Sequence, residues 1–115
     1  MNVTLYHNPR CSKSRETLAL LEARGIQPTI IEYLKTPPSR AELETLLRRL
    51  GIGARALVRD KEAVWAELGL AEERDEARIL DALLAHPVLI ERPIVVCGER
   101  AVIGRPPGKV EQILP

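Results

Sequence analysis

Residues 3–34 read VTLYHNPRCSKSRETLALLEARGIQPTIIEYL, and the order of elements inside this stretch decides the fold. Val3 and Leu5 alternate with Thr4 as a short strand, which His7-Asn8-Pro9-Arg10 breaks. From 11 to 24 the pattern turns helical: Cys11, Ser14, Leu18 and Leu21 are spaced by three and four, so they share one stripe. Gly25 stands in the usual position just past a helix end. Residues 28–34 (PTIIEYL) then read as a second strand rich in β-branched side chains. Strand, helix, strand at this spacing is a βαβ unit, whose two strands are expected to run parallel.

Beyond this stretch the character changes. Thr36-Pro37-Pro38 is rigid punctuation, and Ser39 with Glu42 forms a capping box ahead of Leu43, Leu46, Leu47 and Leu50, a stripe ended by Gly51. Short helical pieces are expected at 54–58 and 61–68, and a longer helix at 75–85 with Ile79, Leu80, Leu83 and Leu84 on one face. Residues 93–97 (PIVVC) form an apolar strand run, 98–100 are turn-like, 101–103 return antiparallel, and 110–114 close as a short helix. The expected fold class is α/β: βαβ, then ββα, giving a four-stranded mixed sheet with helices on both faces. Residues 1–115 form a single domain in this reading, with an all-helical insertion over about 36–90.

A chain of 115 residues with 45% apolar and 29% charged residues has the balance of a folded soluble domain. Its three aromatics, Tyr6, Tyr33 and Trp65, are too few for the stacking platforms that bind single-stranded nucleic acid. A net charge of +1 supplies no field that would select DNA, RNA or an anionic membrane. No apolar run approaches the ~18 residues of a membrane span, and MNVTLYHNPR lacks the layout of a signal peptide. The expected location is therefore cytoplasmic, where thiols stay reduced and Cys11 and Cys97 are not a structural disulfide. The spacing of cysteines and histidines matches no metal site.

Cys11 follows a strand and a proline loop and stands at the first turn of a helix, where backbone N–H groups converge and the dipole favours negative charge. Arg10 and Arg15 are close in sequence, and such surroundings lower a thiol from its free value of ~8.5. Cys11 is thus either a thiolate nucleophile or a small buried member of the core-facing stripe. The spacing is C-x-x-S, so a second thiol is missing one turn on. Ser14 can donate to the thiolate or simply start the helix, and His7 can tune the cysteine or lie satisfied at a strand end. Arg59, Arg92 and Arg105 border predicted elements, as surface charges or as a cradle of guanidinium forks for a tetrahedral oxyanion.

The segments YHNPRCSKSRETL (6–18), YLKTPP (33–38), ELGLA (67–71), RPIVV (92–96) and IGRPP (103–107) together resemble the glutaredoxin-linked arsenate reductases over nearly the whole chain. The R-C-S-K-S-R form, with I-G-R-P-P after it, is similar to a housekeeping subgroup, whereas better-known members carry A-C-G-T-S-R. The resemblance implies a thioredoxin-like fold with a helical insertion. It places the nucleophile at Cys11, tuning groups at His7 and Ser14, and the oxyanion-binding arginines at Arg59, Arg92 and Arg105. It also points to a cis peptide at Arg92-Pro93.

The implied activity is reduction of arsenate to arsenite, with glutathione as co-substrate, a glutaredoxin as partner and no bound cofactor. Arsenate or a related oxyanion is the expected ligand; neither nucleic acid nor membrane is. A second reading keeps the thiolate and makes the chain a monothiol, glutaredoxin-like oxidoreductase acting on glutathione mixed disulfides, as C-x-x-S with Lys13 and Arg15 suits. A third is a binding module like the transcription regulators of this fold, although those carry C-x-x-C where Ser14 stands here.

Overall fold

The computed structural model describes residues 2–115, and its contacts divide the chain into two units. The first comprises residues 2–36 and 92–115, the second residues 37–91.

In the first unit, β1 (Val3–Tyr6), α1 (Ser12–Ala23) and β2 (Thr29–Ile31) form the βαβ start, and β3 (Ile94–Cys97) and β4 (Arg100–Ile103) the later hairpin. The sheet order is β2-β1-β3-β4. β1 and β2 are parallel, with Leu5 opposite Ile30. β3 runs antiparallel to β1, pairing Val3 with Cys97 and Tyr6 with Ile94. The apolar run of β3 is explained by this central place, since all four of its residues are buried. Val3, Leu5, Val95 and Cys97 share one sheet face and pack with Leu21, Val110 and Ile113 into a core. The expected mixed, thioredoxin-like α/β sheet is present.

Several boundaries differ from expectation. β2 ends at Ile31, because the chain then turns: the N–H groups of Lys35 and Thr36 both donate to the carbonyl of Glu32, at 2.9 Å each. Arg100 belongs to β4, since Gly98 and Glu99 alone make the hairpin turn, with Gly98 at φ +62°. The closing segment is a 3₁₀ helix, Pro107–Gln112. On α1 the buried residues are Ser14, Thr17 and Leu21, while Leu18 is half-buried. Thr17 tolerates burial because its hydroxyl donates to the carbonyl of Lys13 at 2.8 Å.

The second unit holds α2 (Arg40–Leu50), α3 (Ala63–Glu67) and α4 (Glu76–Ala85), with 3₁₀ turns at Ala54–Leu57 and Pro87–Leu89. The capping box starts α2: Glu42 N–H donates to Ser39 Oγ at 3.2 Å and Ser39 N–H to Glu42 Oε1 at 3.3 Å. Gly51, at φ +70°, ends it. α3 spans only five residues of the expected 61–68 stretch. On α4 the buried face is Ile79, Leu80, Ala82 and Leu83, with Leu84 half-buried. Glu76, at its first turn, accepts from the Ala54 N–H at 2.8 Å and ties α4 to the preceding 3₁₀ turn. Val58 and Ile90 form an isolated antiparallel bridge. Among the described residues no helix is long and apolar enough to cross a membrane.

Candidate active site

The loop between β1 and α1 is wound around Cys11 by its own polar groups. His7 N–H continues the β1–β2 ladder by donating to the Ile31 carbonyl at 2.8 Å, and Cys11 N–H donates to Asn8 O at 3.0 Å. Asn8 Oδ1 accepts from the Arg10 N–H at 3.0 Å. Ser14 Oγ accepts from the Asn8 N–H at 3.0 Å and lies 2.6 Å from His7 Nδ1. Both His7 and Ser14 are buried, so this triangle satisfies groups that water cannot reach. Burial holds the His7 imidazole below its ordinary value; the Glu32 carboxylate opposes that and the Arg15 guanidinium adds to it.

Cys11 occupies the N-cap of α1 in extended backbone (φ −92°, ψ 124°) and is itself buried, with no capping hydrogen bond of ordinary geometry. Burial pushes its thiol up, but the amide of Ser14, the Arg92 guanidinium, the amide of Lys13 and the Arg105 guanidinium together hold it below the ordinary thiol value. Ser14 therefore acts on the sulfur through its backbone N–H, while its hydroxyl is engaged by His7 and Asn8. The electropositive surroundings expected from Arg10 and Arg15 come instead from Arg92 and Arg105. Arg15 turns its Nη1 to the Pro9 carbonyl, 2.9 Å away.

The hairpin explains how two arginines distant in sequence reach one thiol. Ile94 pairs with Ile103, and the same register carried outward sets Pro93 beside Gly104 and Arg92 beside Arg105. The Gly104 N–H donates to the Pro93 carbonyl at 2.9 Å, and Arg105 Nε donates to the Arg92 carbonyl at 3.0 Å. The Arg92-Pro93 peptide is cis, as is Arg105-Pro106.

The pattern of the ArsC family matches residues 6–113, which include this loop and both arginines. The chain belongs to the ArsC family. An arsenate reductase of Rhizobium meliloti (strain 1021) is 49% identical over 100% of the chain, which covers 83% of that relative. The uncharacterized protein YfgD of Escherichia coli (strain K12) is 49% identical over 97% of this chain and 96% of its own length. An arsenate reductase structure from Vibrio cholerae superposes with a TM-score of 0.95 at 52% identity, over 99% of this chain and 98% of that one.

In this ArsC chain Arg59 belongs to the second unit. Its N–H donates to the Leu89 carbonyl at 2.7 Å beside the Val58–Ile90 bridge. Its side chain sits between two carboxylates: Nη1 is 2.8 Å from Glu62 Oε1, and Nε is 3.9 Å from Glu91 Oε1. Nearby, the Arg55 guanidinium lies 5.2 Å from the centre of the Trp65 ring. Sequence reasoning missed Gly104. A Cβ there would stand 2.9 Å from Thr17 Oγ1 and 3.0 Å from Pro93 Cγ, so only glycine lets the backbone leading to Arg105 pass between α1 and Pro93. The glycine of IGRPP was the available signal. No group of three or more His, Cys, Asp or Glu side chains among the described residues is arranged to hold a metal ion.

Proposed function

We propose that this ArsC-family oxidoreductase reduces arsenate to arsenite with glutathione as co-substrate, and that Cys11 is its nucleophile. One observation carries the reading: a thiol at a helix start, held below its ordinary value by two backbone amides and two arginines. That is the arrangement for a thiolate that meets a tetrahedral oxyanion. The name borne by similar proteins supplies the oxyanion.

Arg92 and Arg105 bind the arsenate oxygens in this mechanism. The Cys11 thiolate attacks arsenic, forming an S–As bond as one oxygen leaves as water. Glutathione then adds; the S–As bond breaks as Cys11 and glutathione sulfurs join, and the two electrons they give up reduce As(V) to As(III). The sum is H₂AsO₄⁻ + Cys–SH + GSH → Cys–S–S–G + H₂AsO₃⁻ + H₂O. A glutaredoxin with a second glutathione returns Cys11 to the thiol. With serine at position 14, the resolving thiol comes from outside the C-x-x-S site. No prosthetic group is needed, and a reducing cytoplasm supplies the thiols.

Cys–S–S–G is also an intermediate of monothiol glutaredoxin chemistry. The same preparation assayed on a glutathionylated peptide and on arsenate separates the readings. With glutathione, glutaredoxin, glutathione reductase and NADPH, arsenate-dependent NADPH oxidation is expected. Its absence at every arsenate concentration, with peptide deglutathionylation retained, would overturn the arsenate reading.

A further inference from the structure

The face that α1 turns to the interior is polar for a core stripe. Its buried residues are Ser14, Thr17 and Leu21, and two of these three carry a hydroxyl. The Ser14 hydroxyl is accounted for by His7 and Asn8. Thr17 is wholly buried beside the open end of the hairpin, where its Oγ1 lies 2.9 Å from the place a Cβ on Gly104 would take. Valine has nearly the same shape and no polar atom to desolvate, so packing alone does not call for the hydroxyl.

The Thr17 hydroxyl donates to the Lys13 carbonyl at 2.8 Å. That carbonyl belongs to the peptide joining Lys13 to Ser14, and the other end of the same peptide is the Ser14 N–H. With Cys11 at the N-cap, Lys13 and Ser14 stand at the second and third helical positions, whose N–H groups are the ones an N-cap side chain receives. Burial pushes the Cys11 thiol up, and of the groups that oppose it the Ser14 amide is foremost. A continuous path therefore runs from Thr17 Oγ1 through one planar peptide to the Cys11 sulfur. In an α-helix such a carbonyl takes its first donor from the N–H four residues on, and here the hydroxyl takes its second lone pair. A carbonyl that accepts a further bond makes the N–H of its own peptide a stronger donor, because hydrogen bonds in a chain polarise one another.

We infer that Thr17 is a positioning residue for the nucleophile: its hydroxyl holds and polarises the Lys13–Ser14 peptide, whose N–H is directed at the Cys11 sulfur. The inference rests on Cys11 being the nucleophile, as proposed above. It adds a residue that acts through a peptide and takes no part in binding arsenate.

Three variants separate the hydroxyl from the methyl. Thr17→Val keeps the shape and loses the hydroxyl, Thr17→Ser keeps the hydroxyl and loses the methyl, and Thr17→Ala loses both. Alkylation by iodoacetamide is followed against pH on the Cys11 peptide by mass spectrometry, so that Cys97 does not contribute. Loss of a 10–30% strengthening of a charge-assisted bond should raise the midpoint by roughly 0.2–0.6 pH unit in Thr17→Val and Thr17→Ala. Thr17→Ser should keep the wild-type midpoint. At mildly acidic pH the two chains without the hydroxyl should therefore react roughly 1.5- to fourfold more slowly, and above the midpoint the difference should vanish. The Ser14 amide ¹⁵N resonance should move in the same two variants and stay in Thr17→Ser. A midpoint common to all four chains would overturn the inference. So would one that follows stability in denaturant melts, with Thr17→Ser shifted as far as Thr17→Ala. Alkylation needs no arsenate, so absent arsenate turnover with the hydroxyl pattern intact would sink the proposed reaction and spare Thr17. Arsenate turnover with all four midpoints alike would do the reverse.

Discussion

Arg105 donates through Nε to the backbone carbonyl of Arg92 across 3.0 Å, so the two arginines that act on Cys11 are tied to each other at the open end of one hairpin. The tie spends one nitrogen of the Arg105 fork on structure and leaves its Nη atoms directed by a fixed Nε. A lysine has no counterpart to this division, because its single ammonium can either anchor or bind.

Arg92→Ala and Arg105→Ala are therefore expected to weaken arsenate binding, each by about 1.5–3 kcal/mol, or roughly ten- to a hundredfold in KM. Lysine at position 105 should restore only part of this. Steady-state kinetics across the three variants decides it; unchanged KM in both alanine variants would reduce these arginines to a surface role.

Cys11 should react with iodoacetamide at lower pH than an ordinary thiol. Its value is held down, so as pH falls from alkaline conditions the thiolate persists below the free-thiol midpoint of ~8.5. Rates of alkylation against pH would show a midpoint at or above that value if the amides and arginines do not outweigh burial. Cys11→Ser should abolish both alkylation and arsenate turnover with the fold intact, because a serine hydroxyl keeps its proton at working pH.

Ser14→Ala should separate stability from reactivity. It removes the partner of His7 Nδ1 and of the Asn8 N–H, and a buried polar group left unsatisfied costs about 1–3 kcal/mol. The backbone N–H that acts on Cys11 is kept, so the alkylation midpoint should move less than in Arg92→Ala. His7 adds a pH signature. Burial lowers its value in the folded chain, so the unfolded chain protonates first, near pH ~6.5. Its contribution to stability is complete above that pH and is lost as pH falls through the lower folded value. Denaturant melts from pH 8 to 4, with His7→Gln lacking this part of the loss, would check the sign.

Gly104→Ala should destabilise by about 1–3 kcal/mol through overpacking and raise KM for arsenate by displacing Arg105. The contact at fault is with Thr17 Oγ1 at 2.9 Å. In a double-mutant cycle, Thr17→Ala combined with Gly104→Ala should cost less than the two alone summed. Strict additivity in denaturant melts would place the strain elsewhere.

Cys97 should be dispensable. It pairs with Val3, at the far end of β1 from Tyr6 and the Cys11 loop. Three residues at about 3.3 Å each make some 10 Å, beyond the ~7 Å between Cα atoms that a disulfide spans. Cys97→Ala should keep glutathione-dependent turnover. A Cys11–Cys97 peptide in good yield from the oxidised chain, together with loss of turnover in Cys97→Ala, would replace the external thiol by an internal one.

What the sequence by itself determined is local and periodic. The βαβ start, the capping box of Ser39 and Glu42, the apolar run of β3 and the placing of Cys11 at a helix start all follow from spacings within a few residues. Those spacings report directly which groups a backbone of known pitch brings side by side. The length of β2 escaped, because residues 32–34 keep a strand-like composition while Glu32 takes up a turn.

Tertiary structure decided the electrostatics. Arg10 and Arg15 flank Cys11 closely in sequence, yet Arg92 and Arg105 act on it, because the hairpin brings distant stretches of chain to a strand beside β1. Likewise, only packing shows that Ser14 offers its amide, not its hydroxyl, and that Gly104 has room for no side chain. A charge acts through distance in space, and sequence separation measures that distance only within one element.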